Sequence, residues 1–524
     1  MDTTPPTTLP RRKLPIGIQN LREIREDGHY YVDKSSLAIN LIESGKAYFL
    51  SRPRRFGKSL LVDTFKELFE GNRALFTGLA AESRWDWGKR HPVIRISFAG
   101  GGLNSPERLE QRIFEILDEN EQRLGVVCRH QSVSGRFIEL VQRTHERHGA
   151  SVVVLVDEYD KPILDQLQDG GLAARMREGL KALYESLKYV DEHLKFVFLT
   201  GVSKFSKVSL FSGLNNLRDI TLDARWSALC GYTDADLDSV FAPELAGLDR
   251  DEVRRWYNGY NWGGESVYNP FDALLLFDSR IFRPYWFETG TPTFLINLLA
   301  ERPWFTPDLE RLTATETLLS SFDVGAIRPE ALLFQAGYLT IDRVQYLRGR
   351  PTYTLKYPNL EVQASLNDCL LRRYSGDEAV SEPQVARLWQ VLEAGDVAAL
   401  RELFHAFFAS IPNDWYRNSP VAQFEGYWAS IFYSHFAALG LDIRVEDTTN
   451  KGRIDMTVLA GGAVWLFEFK VVELVPQGRA LQQIKDRGYA DKYRSRGEPI
   501  HLIGVEFSKT DRNIVGFEVE TIRA

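Results

Sequence analysis

Two stretches of this sequence place side chains suited to phosphate and metal chemistry at short, ordered spacing. The first, Arg52-Pro53-Arg54-Arg55-Phe56-Gly57-Lys58-Ser59, matches G-x-x-x-x-G-K-[ST] except that Arg52 replaces the first glycine. Such a turn aims backbone N–H groups at phosphate, with a lysine for the β/γ oxygens and a hydroxyl for Mg²⁺. The apolar run Ala47–Leu50 before it and the amphipathic run Leu60–Phe69 after it put the phosphates at a helix N-terminus. Arg55, Phe56, Gly57, Lys58, Ser59 and Leu60 are therefore the expected contacts of a nucleoside triphosphate, read as ATP with Mg²⁺. Further on, Val152-Val153-Val154-Leu155-Val156-Asp157-Glu158 is an apolar strand ending in two acids. Asp157 is expected to hold Mg²⁺ together with Ser59, and Glu158 to orient the attacking water. A buried strand before a solvated acidic turn would read the same way, but both halves in this order favour the nucleotide site.

A third apolar run, Leu194–Leu199, ends in Thr200-Gly201-Val202-Ser203, which makes Thr200 and Ser203 candidates to sense the γ-phosphate. Arg54, Arg55, Arg218 and Arg225 are candidates to steady transition-state charge, although each taken singly reads as a surface arginine.

The second stretch lies near the C-terminus. Asp455 in Gly452-Arg453-Ile454-Asp455-Met456 and Glu468 with Lys470 in Leu466-Phe467-Glu468-Phe469-Lys470 are joined through Ala460-Gly461-Gly462-Ala463, which reads as a β-hairpin. Side chains alternate along a strand, so Glu468 and Lys470 share one face while Phe467 and Phe469 enter a core on the other. Carboxylates that hold Mg²⁺ and a lysine that positions water are what phosphodiester hydrolysis requires. Asp455 and Glu468 are the expected metal ligands, Glu425 a further one, and Lys470 the catalytic base or charge stabiliser. Arg479, Lys485, Arg487, Lys492 and Arg494, on a long helix expected around Gly478–Arg494, are candidates for backbone phosphates. Acids alternating with a lysine on one strand face are commonly just solvated; here the order of helix, acidic hairpin and basic helix adds weight.

These segments resemble the bacterial AAA-ATPase-like family that carries a C-terminal PD-(D/E)XK nuclease-like domain. The resemblance rests on Tyr30-Tyr31-Val32-Asp33-Lys34, the Arg52–Ser59 run, Asp157-Glu158-Tyr159-Asp160-Lys161-Pro162 and Phe211-Ser212-Gly213-Leu214-Asn215-Asn216-Leu217, and covers nearly the whole chain. It implies that Arg52 is usual at its position, that Gln483 and Tyr489 fall at recurrent motif positions, and that nucleotide state acts as a switch, as in STAND-type ATPases.

The elements that must position these groups are those of an α/β protein. Short apolar runs at Ala47–Leu50, Val93–Phe98, Val152–Val156 and Leu194–Leu199, separated by amphipathic helices, describe a mostly parallel sheet with ligands at the strands' carboxyl ends. We expect a flexible tail over 1–15, a P-loop domain over 16–222, a helical or winged-helix-like connector over 223–381 and a restriction-endonuclease-like α/β domain over 382–524. The aromatic run Trp256-Tyr257-Asn258-Gly259-Tyr260-Asn261-Trp262 is read as core packing. With 524 residues, 44% hydrophobic and 26% charged, the chain has the composition of folded globular proteins. Its net charge of -7 argues against a surface positive throughout. Cys128, Cys230 and Cys369 form no disulfide framework or zinc cluster, and His145 with His148 lacks a further ligand. No signal peptide or membrane span is expected, so the location is read as cytoplasmic; a homo-oligomer is compatible with this architecture. The functional expectation is an ATPase whose nucleotide state controls a metal-dependent nuclease acting on DNA or RNA. The alternatives are an ATP-dependent switch whose nuclease-like domain only grips nucleic acid or a protein partner, and, last, a small-molecule kinase.

Overall fold

The computed structural model describes residues 11–100, 102–204, 216–287, 295, 296, 299, 306–319, 328–375, 378–411 and 425–523. The stretch Phe211 to Asn215 of the motif quoted above lies outside them. The chain divides into two compact units, Met1–Thr289 with Thr313–Asn359, and Gly290–Leu312 with Leu360–Ala524. The segment 223–381 is thereby shared: 223–289 and 313–359 fall in the first unit, 290–312 and 360–381 in the second.

The first unit is built on five parallel strands: β1 (Ala47–Ser51), β2 (Val93–Ser97), β3 (Val152–Asp157), β4 (Leu194–Gly201) and the two-residue β5 (Arg218–Asp219), in the order β2-β3-β4-β1-β5. Every residue of β1 and β3 is buried, as expected of strands covered on both faces. The helices between them start and stop where the sequence caps them. Ser105 and Ser132 accept the N–H groups of Arg108 and Gly135, and Gly125 and Gly149 close the same helices in the left-handed conformation. Because β4 lies between β1 and β3, the loop after β1 and the acids after β3 open at the same end of the sheet, one strand apart. The middle region is helical around Tyr30, Phe241, Tyr257 and Phe277, with one small antiparallel sheet of β6 (Thr313–Thr315), β7 (Thr340–Leu347) and β8 (Arg350–Lys356) in the order β6-β8-β7.

The second unit contains a mixed five-stranded sheet ordered β13-β12-β11-β10-β9, from β9 (Asp442–Thr449), β10 (Gly452–Ala460), β11 (Ala463–Val472), β12 (Ile500–Ser508) and β13 (Asn513–Ile522). Strands β10 and β11 form the expected hairpin, Ala460 opposite Ala463, and β11 pairs parallel to β12. Phe467 and Phe469 pack against Phe432 of the Glu425–Ala438 helix, as the alternation requires. Strand β13 extends the sheet beyond the elements expected from sequence. Ahead of this sheet run two helices, Glu378–Ala394 and Val397–Ser410, separated at Gly395. The expected long helix over Gly478–Arg494 is an α-helix, Arg479–Arg487, followed by a 3₁₀ stretch, Tyr489–Arg496, because Gly488 turns left-handed at φ 57° and releases the helical ladder.

That helix is seated by two features of β12. Glu506, buried in an apolar strand, accepts the N–H of Arg479 at 2.7 Å and that of Gln477, covering amides that open the helix. At Gly504 the helix backbone comes so near that a Cβ would lie 2.2 Å from the Leu481 nitrogen. A Gly504→Ala chain should therefore lose about 1–3 kcal/mol of stability. Urea unfolding followed by tryptophan fluorescence checks this; an unchanged midpoint contradicts the close approach.

Candidate functional site

Strand β1 delivers Arg52 into the core instead of into solvent. Its guanidinium is fully buried, stacks 3.9 Å from the Trp262 ring centroid, and donates to the carbonyls of Ser51 at 2.8 Å, Thr221 at 3.0 Å and Trp226 at 3.2 Å. Burial lowers its pKa to about 10, so it stays charged at neutral pH. The following residues are gripped by the same region. Phe56 meets Tyr260 and Trp262 edge-on at 4.7 and 5.6 Å, the Trp286 indole donates to the Arg54 carbonyl at 3.2 Å, and Pro53 fills the space a Cβ on Gly337 would need. The aromatic run 256–262 is core packing, as read from sequence, and what it packs against is the loop.

Gly57, left-handed at φ 83°, opens the Lys58–Phe69 helix, and Arg55 also has positive φ, 67°. The Lys58 ammonium is buried and donates to the carbonyls of Arg52 at 3.0 Å and Pro53 at 2.8 Å; burial lowers its pKa, against the opposing pull of Asp157 and Asp160. A cavity of about 500 Å³ opens beside these groups, lined by Gly57, Lys58, Ser59, Leu60 and, across it, Glu158. Tyr31, Lys34, Cys230 and Phe271 also line it; Tyr31 and Lys34 belong to the Tyr30–Lys34 motif, whereas no local pattern in the sequence marks Cys230 and Phe271. Glu158 sits at φ 52°, strained for a non-glycine, with Oε2 buried and without a hydrogen-bond partner; burial, then the Asp157 charge, raises its pKa. Asp157 is buried at the end of β3 and accepts the Glu158 N–H at 3.1 Å.

The sensor candidates are otherwise engaged. The Thr200 hydroxyl donates to the Leu50 carbonyl at 2.9 Å, and that of Ser203 to Asp160 at 2.7 Å. Asp160 also takes the N–H groups of Val202 and Ser203, fixing the exit of β4. Of the four arginines, Arg54 and Arg55 line the cavity, whereas Arg218 and Arg225 pair with Asp223 at 3.6 and 2.6 Å. His145 and His148 contact backbone carbonyls of Ala150 and Leu124.

In the second unit the β10/β11 ladder runs from Ala460–Ala463 to Met456–Phe467 and goes no further. There the Asp455 carboxylate replaces a main-chain acceptor, taking the Phe469 N–H at 2.8 Å. Glu468 is fully buried; its Oε1 accepts Lys470 Nζ at 3.0 Å and the Gln483 amide, while its Oε2 has no partner. Burial, with the Asp455 charge second, pushes the Glu468 pKa up to about 7, and burial also raises that of Asp455. Asp455, Glu468 and Lys470 are thus brought together, and Gln483 joins them from the Arg479–Arg487 helix. Glu425 begins the helix before the hairpin, and its side chain lies outside the described residues. Among the described residues no group of three His, Cys, Asp or Glu stands ready to hold a metal ion.

The basic residues of this region are mostly paired. Lys485 bonds Glu520 at 2.6 Å, Lys492 bonds Asp447, Arg494 bonds Asp491 at 2.9 Å, and Arg487 donates to the Lys451 carbonyl. Arg479, Arg487 and Arg453 nevertheless line an open cavity of about 580 Å³ together with Gln483.

Residues 15–211 match a family model described as a predicted AAA-ATPase, and residues 423–517 match the PD-(D/E)XK nuclease superfamily. The chain is also 63% identical over 513 residues to a protein of Azotobacter chroococcum mcd 1 described as an uncharacterized protein in the vnfD 5'region, covering 98% of this chain and 99% of that one. The chain belongs to the AAA-ATPase-like family with a C-terminal PD-(D/E)XK nuclease-superfamily domain. No helix among the described residues is long and apolar enough to cross a membrane.

For this AAA-ATPase-like protein the loop geometry makes Trp262→Ala costly. It uncovers a buried guanidinium and leaves a cavity, so stability should fall by about 3 kcal/mol, measurable by denaturant unfolding; a loss under about 1 kcal/mol contradicts the clamp. Glu468 sets a pH dependence. A carboxyl whose folded pKa is raised holds its proton in the folded state, so stability is fully present below the unfolded pKa and declines as pH rises through the folded one. Without divalent metal, the parent should lose roughly 2 kcal/mol between about pH 5 and pH 8 relative to Glu468→Gln. Parallel pH profiles for the two chains would contradict the assignment.

Proposed function

We propose that this protein binds and hydrolyses ATP in the first unit and that its nucleotide state controls a metal-dependent nuclease in the second, acting on DNA or RNA. The observation that carries the reading is Glu468: a fully buried carboxylate held by Lys470 and Gln483, beside Asp455, with one oxygen unpartnered. A structural carboxylate has its oxygens satisfied, whereas one kept for a cation leaves an oxygen exposed to it. Asp455 and Glu468 would hold the cation, with Glu425 as the further ligand carried from the sequence reading. Such a cation, when bound, supplies Lewis acidity and a more acidic water. Lys470 orients Glu468 and offers positive charge toward the reacting phosphate, Gln483 fixes the carboxylate's rotation, and Arg453, Arg479 and Arg487 position the strand's phosphates.

In the first unit the backbone N–H groups from Arg55 to Leu60 would meet the phosphates, Ser59 and Asp157 would hold Mg²⁺, and Glu158 would orient water. Lys58 would exchange the Arg52 and Pro53 carbonyls for phosphate oxygens. The domains are assigned as a P-loop domain over 16–222, a connector over 223–381 and a nuclease domain over 382–524. The second reading is an ATP-dependent switch whose nuclease-like domain is catalytically inactive and only grips nucleic acid or a protein partner.

Substitutions separate the two. Lys58→Ala should weaken ATP binding at least about tenfold by calorimetry, and Glu158→Gln should keep binding while hydrolysis falls about a hundredfold or more. Asp455→Ala, Glu468→Ala and Lys470→Ala should each abolish cutting of labelled DNA or RNA with Mg²⁺ or Mn²⁺ and ATP, with the two acid variants binding metal more weakly and Lys470→Ala binding it normally. Undiminished cutting by Glu468→Ala would remove this site from the chemistry.

A further inference from the structure

The antiparallel sheet β6-β8-β7 of the middle region has two unlike faces. Ala314, Ile341, Tyr353 and Leu355 are buried on one. The register puts Thr313 and Arg343 beside Thr354, Thr315 and Gln345 beside Thr352, and Leu347 beside Arg350, all on the other face. Thr313, Thr315, Arg343, Gln345, Leu347 and Arg350 are exposed there. That face offers amide, hydroxyl and guanidinium donors. Asp342 is the one acidic residue of the three strands, and Lys356 neutralises it at 2.9 Å.

The hairpin tip strengthens the pattern. Arg348 and Gly349 both have positive φ, 50° and 81°, which is the tight two-residue turn that lets β7 and β8 project together. Tyr346 at 74% and Leu347 at 60% are among the most exposed large hydrophobic residues described, Leu347 beside Arg350 on the polar face and Tyr346 opposite Pro351 on the reverse side of the tip. Among the described residues Arg343, Arg348 and Arg350 make no ion pair or side-chain hydrogen bond, although the chain as a whole carries a charge of -7. Exposed aromatic area costs free energy in water, and three uncompensated arginines on the same hairpin, across its tip from that ring, call for an anionic partner with flat apolar surfaces that is flexible enough to pass over the tip.

We propose that this sheet face and its tip bind a single-stranded nucleic acid that passes over the tip, with Arg343, Arg348 and Arg350 on its phosphates and Tyr346, on the reverse side, stacked on an unpaired base. Guanidinium groups pair with phosphate through parallel N–H donors, and an exposed tyrosine stacks on any base without sequence preference. The surface lies in the first unit and is separate in sequence from Asp455, Glu468 and Lys470. It deepens the functional reading by naming a second contact for the same class of partner.

The test is binding of fluorescein-labelled oligothymidylate to the full chain in EDTA, followed by anisotropy over a salt series, so that no cutting is needed. Combined Arg343→Glu, Arg348→Glu and Arg350→Glu should weaken binding about tenfold or more and lower the slope of log K against log salt by about 2, which is three phosphates on a single strand. Tyr346→Ala should weaken binding about fivefold or more with the slope unchanged, and should abolish photocrosslinking at position 346 to an iodouracil-bearing strand. Circular dichroism of both variants should match the parent. Unchanged affinity and slope in the triple variant overturn the proposal, as does arginine-dependent retention on phosphatidylserine vesicles without oligonucleotide binding. Binding that survives in a chain that never cuts would sink the nuclease reading and leave this surface standing.

Discussion

The nucleotide loop depends on a buried cation. Arg52 occupies the position where a glycine would let the loop fold on its own, and its side chain enters the core to bond three carbonyls and lie under Trp262. A buried guanidinium is tolerable only when its donors are met, and here three bonds are made, two of them to backbone from beyond the sheet, at Thr221 and Trp226, and one to Ser51 of β1. The loop's shape is consequently written partly in residues 221–262. The Phe56 contacts with Tyr260 and Trp262 and the Trp286 bond to Arg54 extend the same dependence to the next four residues. The middle region and the P-loop-like turn are thus packed directly against each other.

The second unit solves a comparable problem with carboxylates. Glu506 spends its charge on the first amides of the Arg479–Arg487 helix and so holds Gln483 over Glu468. Glu468 cannot be ionised cheaply in that surrounding, which is why its pKa rises and why a cation or a proton is the natural occupant of its unpartnered oxygen. Glu158 repeats the arrangement in the first unit, with a strained backbone in addition. Two acids, each with a buried oxygen that has no partner and each at the carboxyl end or broken edge of a strand ladder, are the features around which the proposed chemistry is organised.

Much of this was legible in the sequence because it is local. The strand, turn and helix from Ala47 to Phe69, the acids after β3, and the hairpin carrying Asp455, Glu468 and Lys470 all announce themselves by spacing and alternation. What escaped was set by distant partners. Arg52 read as a departure from a motif because Thr221, Trp226 and Trp262 are far along the chain. Thr200 and Ser203 read as sensors because nothing near them reveals that Leu50 and Asp160 take their hydroxyls. The basic helix read as one piece because a single glycine, Gly488, is weak punctuation until its φ is seen, and its lysines read as free because Glu520 and Asp447 lie on other strands. Glu506 left one trace, an acid inside the apolar run Ile500–Phe507.

The central claim is that nucleotide bound in the first unit governs phosphodiester cleavage in the second. The most direct measurement is the cleavage rate of a mixed labelled DNA and RNA pool by the full chain in Mg²⁺ or Mn²⁺, with ATP, with a non-hydrolysable analogue and with neither. The account predicts cutting whose rate differs among the three conditions. A pool that is retained on the protein but stays intact in all of them would contradict it.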